Sequence, residues 1–191
     1  MNVLTPVAQA HEILDVRKNG AFIFSDILLI DYRQQKLGSL LSEIKMQSHQ
    51  LDRMLKKYTH DDERLLGQEK ANVVNVLHMI IRNLAALYLR LFDLEHSAEY
   101  HSEIEVSEGK DGFLIKGKMD ADEVNIRFSL KQWTDEYLDA ALADLFKDFQ
   151  DAAKDHVITL AEKVELTGRI ARILVKTMQA FYLMRSGAVF R

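Results

Sequence analysis

The sequence predicts a predominantly helical α+β fold in a single domain spanning residues 1–191. Three observations predict it. Apolar residues recur every seven positions along two long stretches, the pattern of helices that carry a continuous seam. Between Glu103 and Leu130 the pattern changes to apolar–polar alternation, the signature of half-buried strands. Breakers are scarce, with one proline and eight glycines in the chain, which favours long elements over a many-turned β fold. The expected order is a long antiparallel helical hairpin over 26–99, a small three-stranded antiparallel β-meander over 102–131, and a C-terminal helical pair over 134–186.

A short helix is expected from Pro6 to about Lys18. Thr5 can cap it, Pro6 suits the first helical position and Asn19-Gly20 offers a stop. The apolar run Ala21 to Phe24 then reads as a tight connector or a brief strand. From Asp26 to Tyr58, Ile30, Leu37, Ile44, Leu51 and Tyr58 fall every seven residues, and Gln34, Leu41, Ser48 and Leu55 interleave with them. At 1.5 Å per residue such a helix is about 50 Å long. Gly38 weakens it slightly.

Thr59 to Glu63 marks the reversal, and a second long helix follows to about Glu99. Its sevenfold set is Leu66, Val73, Ile80, Leu87 and Leu94, flanked by Leu77, Leu84 and Leu91. The further apolar residues Met79, Ile81 and Leu89 widen the stripe, so this helix is expected to touch more than one neighbour. The simplest partner for the first seam is this second helix, across the reversal in the same chain. The segment Ala71 to Leu89 carries a single formal charge, Arg82. An arginine near the centre of a membrane span costs roughly 2.5–3.5 kcal/mol, and Asn72, Asn75, His78 and Asn83 add polar groups. A buried helix of a soluble protein is therefore expected, with no membrane partner.

In the alternating region, Ile104 and Val106, then Phe113 to Lys118, then Val124, Ile126, Phe128 and Leu130 form the three expected strands, separated by Gly- and Asp-rich turns. The penultimate helix should run from Thr134 to about Lys154. The last should begin at Thr159, where Thr159 and Glu162 make a capping box, and should stop near Gly187.

With no cysteine in the chain, disulfides, thiol nucleophiles and thiolate zinc sites are excluded. The first fifteen residues lack a basic region followed by an apolar run, so no secretory signal is expected and a cytoplasmic location is. No phosphate loop, nucleophile elbow, HExxH or dinucleotide fingerprint is present. No catalytic residue, cofactor or metal site is assigned.

Three constellations remain. The net charge is −4 overall, yet the segment Leu160 to Arg191 is basic, and Arg169, Arg172 and Lys176 share one helix face. Nucleic acid could dock there. However, Asp144, Asp148, Asp151 and Asp155 on the preceding helix can answer these bases, and no aromatic residues interleave with them. Nucleic-acid binding is thus not the expected role. His96 and Glu99 sit at i, i+3, a spacing usable by two ligands of a divalent metal, with His101 close by; a polar helix end explains them equally. His78 reads as a core histidine, and Asn83 as a buried amide that fixes helix register. The expected function is non-catalytic interaction or regulation through helical surfaces, with self-association as a homodimer. The alternatives are a metal-assisted enzyme at His96, Glu99 and His101, or a nucleic-acid-associated regulator using the last helix.

Overall fold

The computed structural model describes residues 12–16, 21–26, 36–58, 67–91, 104–109, 112–118 and 130–185, with the backbone alone described in the strands. In chain order the elements are β1 (Glu12–Val16), β2 (Ala21–Asp26), α1 (Leu37–Tyr58), α2 (Gly67–Leu91), β3 (Ile104–Gly109) and β4 (Gly112–Lys118). Then come α3 (Leu130–Trp133), a π-helical turn (Thr134–Leu138), α4 (Asp139–Ala152) and α5 (Leu160–Arg185).

The body of the protein is a helical bundle. Helix α1 packs on α2, α2 on α5, α5 on α4, and α4 returns to α1. Helix α2 is the most enclosed. From Ile80 to Leu91 every residue except Arg82 and Arg90 is buried. By length and composition α2 could cross a membrane, but 72% of its most apolar stretch is buried inside the protein. Its apolar surface is covered by the neighbouring helices.

The heptad seam of α1 faces inward. Ile44, Leu51 and Leu55 are buried, together with Leu40, which lies outside the expected heptad set. Leu37 and Leu41 pack against the core from partly buried positions. Removing each such leucine from water is worth roughly 1.5–3 kcal/mol, so the seam is a principal source of cohesion between the first two long helices. Within this apolar layer, Asn83 Nδ2 donates to Gln47 Oε1 at 3.0 Å. A hydrogen bond between two buried amides can form in only one register of α1 against α2, which is the role expected of Asn83. His78 is buried too, its ring 6.2 Å from that of Phe181 on α5.

The α+β expectation is corrected. Of the residues whose side chains are described, 92% are helical and none lies in a strand, so the protein is read as a helical bundle. The three-stranded meander also fails in its particulars. The backbone pairs four short strands in the order β1-β2-β4-β3. All three pairings are antiparallel, with Phe24 opposite Ile115 and Val106 opposite Ile115 on its other side. The neighbour of β4 is therefore β2, from the N-terminal part of the chain. Leu130, expected to end the third strand, begins α3; the rest of that run lies outside the described residues. The expected N-terminal helix is overturned as well, because Glu12–Val16 is a strand paired with Ala21–Asp26.

At the other end, Thr159 and Glu162 cap α5 reciprocally. The Thr159 backbone N–H donates to Glu162 Oε2 at 2.7 Å, and the Glu162 N–H donates to Thr159 Oγ1 at 3.3 Å, so two of the donors that a helix start leaves unpaired are satisfied. His156, with φ of 64°, takes the left-handed conformation in the connection from α4.

Candidate functional site

The sites singled out in the sequence fare differently. His96, Glu99 and His101 lie outside the described residues. The basic face of α5 is described, and it turns toward its own neighbours. The Arg169 guanidinium pairs with the Asp148 carboxylate of α4. Arg172 Nε donates to the Gly168 carbonyl at 3.3 Å, and its charge bears on the Tyr137 hydroxyl, whose pKa burial raises and Arg172 lowers. Lys176 is half-buried. The acidic row on α4 is likewise engaged: Lys154 Nζ lies 2.7 Å from Asp151, and Asp155 accepts the Val157 N–H at 3.2 Å. A small cleft of about 180 Å³ between α4 and α5 is lined by Asp148, Asp151, Glu162 and Glu165. The first three of these already have the partners named above.

The polar features left over converge on α1. On the side away from the seam is an open groove of about 650 Å³, lined by Lys45, Met46, His49, Asp52, Arg53 and Lys56. These positions recur at three- and four-residue steps, so they form one face of the helix. Met46 is 56% exposed, a large apolar side chain set among cations.

Asp52 connects this groove to a second feature. Carboxylate oxygens of Asp52, Asp135 and Asp139 all lie within 4.8 Å of one another. Asp135 belongs to the π-helical turn and Asp139 begins α4; four residues apart, they share a face that meets α1. Each carboxylate has some relief. Lys131 Nζ lies 3.2 Å from Asp135, and Ser48 Oγ donates to Asp139 Oδ1 at 3.4 Å. Asp52 holds a proton more tightly than an ordinary carboxyl: its pKa is pushed up to about 6, first by burial, then by the charge of Asp139 and a hydrogen bond to it, with Asp135 adding and Lys56 opposing. Among the described residues these three acids are the set that could surround a cation through oxygen ligands. The hydrogen bond between Asp52 and Asp139 and the ion pair at Asp135 account for their proximity without one.

Helix packing makes this junction. Gln47, Ser48 and Leu51 of α1 are buried, which turns Asp52 sideways toward the start of α4. Sequence reading missed it, because Asp52, Asp135 and Asp139 each read as ordinary solvated helix positions and their convergence depends on how α4 folds back.

No family model, curated protein or solved structure matches the chain. The functional reading therefore rests on the geometry of the bundle and the chemistry of this α1 face.

Proposed function

We propose that this is a non-catalytic interaction protein, a helical bundle that presents the outer face of α1 to a protein partner. The observation that carries the reading is the division of α1 into two faces. Its leucine seam is consumed inside the chain, against α2, and so is not available for an intermolecular coiled coil. Its outer face keeps an open groove in whose lining Met46 is exposed. An unbranched, polarizable methionine adapts to partners of varied shape, and a rim of charged side chains around an apolar centre is the usual anatomy of a binding face. Self-association, if it occurs, uses this same face.

The basic face of α5 favours the nucleic-acid alternative less, since Arg169 is already answered by Asp148. The test is site-specific photo-crosslinking in cells. A photoreactive amino acid at position 46 should give a discrete adduct, identified by mass spectrometry as one protein or as a second copy of this chain. The same group at Gln150, exposed on α4, should not give it. Equal labelling at both positions, or none at position 46, contradicts the proposal.

A further inference from the structure

The α1 groove is cationic within an acidic chain, and that says what kind of partner fits it. Lys45, Arg53 and Lys56 line it together with one acid, Asp52, whose carboxylate lies within 4.8 Å of those of Asp135 and Asp139. The chain as a whole carries −4. Three bases elsewhere are paired: Lys131 has Asp135, Lys154 has Asp151 and Arg169 has Asp148. Lys45 and Arg53 have no acidic partner among the described residues. The carboxylate that could neutralise them, Asp52, is drawn instead toward Asp139.

Resting on the interaction reading above, we propose that this groove binds an acidic amphipathic helix, with its carboxylates on Lys45, Arg53 and Lys56 and an apolar side chain on Met46. The dimensions agree. Lys45 to Lys56 covers about 16 Å of helix at 1.5 Å per residue, or three turns of a partner lying alongside. Acidic residues at four-residue spacing on such a partner meet successive cations of the row, while its apolar stripe lies over Met46, as helices do in grooves generally. Nucleic acid fits less well. Among the described residues the groove offers no Phe, Tyr or Trp for stacking, only His49, and a duplex would approach a chain of net negative charge. A lipid surface would need a broader apolar face than one methionine.

The probe is a synthetic amphipathic helix of about 18 residues, roughly 27 Å long, with glutamates every four positions flanking a leucine stripe. A control peptide has glutamine for each glutamate. Fluorescence anisotropy with the full chain should show micromolar binding of the acidic peptide. Lys45→Glu/Arg53→Glu should weaken it by about tenfold or more, as expected when two attractive charge pairs become repulsive. The milder Lys45→Gln/Arg53→Gln should give a smaller loss in the same direction, and all variants should keep the wild-type melting profile because both positions are exposed. Equal affinity for the glutamine peptide, or no change in either double variant, overturns the proposal. Tighter binding of a DNA duplex or of anionic phosphatidylserine vesicles than of the acidic peptide does so too. The two readings fail separately. A crosslinked partner at position 46 that docks a basic or neutral segment sinks this inference alone, whereas no adduct there sinks the interaction reading itself.

Discussion

At the scale of single residues, Asp52 is where the bundle's own packing meets the candidate interface. Its carboxyl is hydrogen-bonded to Asp139 across the junction of α1 and α4, with Asp135 nearby and Lys56 on its own helix, while Lys131 is occupied by Asp135. The folded-state pKa, about 6, lies above the ordinary 3.8. The folded protein therefore holds this proton more tightly than the unfolded chain does. The stabilisation from the pair is complete below about pH 4 and is lost as pH rises through 6. Asp52→Asn removes the repulsion and can still donate a hydrogen bond to Asp139. Thermal melts should show this variant more stable than wild type at pH 7.5, by about 1 kcal/mol, with the difference closing toward pH 4. A constant difference across that range would show that the pair does not titrate there.

At the scale of elements, the contact between α1 and α2 combines apolar cohesion with one polar lock. Leu40, Ile44, Leu51 and Leu55 supply the cohesion, and the Gln47–Asn83 hydrogen bond fixes the register. Removing one amide strands the other in an apolar layer. Asn83→Leu should therefore cost about 1–3 kcal/mol in denaturant unfolding, and the double variant Gln47→Leu/Asn83→Leu should recover much of that loss. A double variant whose loss equals the sum of the two singles would show that the amides do not interact. This element was legible in the sequence, since heptads in two successive segments and an amide at a seam position already imply an antiparallel pair. What was not legible has physical causes. Glu12 to Val16 is short enough that its apolar residues satisfy a period of 3.6 as well as a period of 2. The Thr5-Pro6 start signal suggested a helix there, whereas Asn19-Gly20, a favoured hairpin dipeptide, argued for the β1–β2 pairing that the backbone adopts. Alternation from Val124 onward extended the expected meander to Leu130, but Leu130 is fully buried at the head of α3, where packing outweighs local pattern. The acidic junction left no trace in the sequence, because only the return of α4 to α1 brings its members together.

At the scale of the whole molecule, the bundle spends its strongest apolar surfaces on itself. The α1 seam, nearly all of the second half of α2 and the inner face of α5 form one connected core, and Arg169 of α5 is held against Asp148 of α4. Among the described residues, one face offered outward is the far side of α1, where Met46 is exposed beside Lys45, Arg53 and Lys56. The account therefore makes a spatial claim: a partner touches that helix face and leaves the α5 face alone. Backbone amide chemical-shift mapping of the full chain during titration with the acidic amphipathic peptide tests this most directly. The predicted result is saturable shifts concentrated between Ser42 and Lys57, with little change across Arg169 to Lys176. Shifts centred on α5, or spread evenly over the helices, would contradict it.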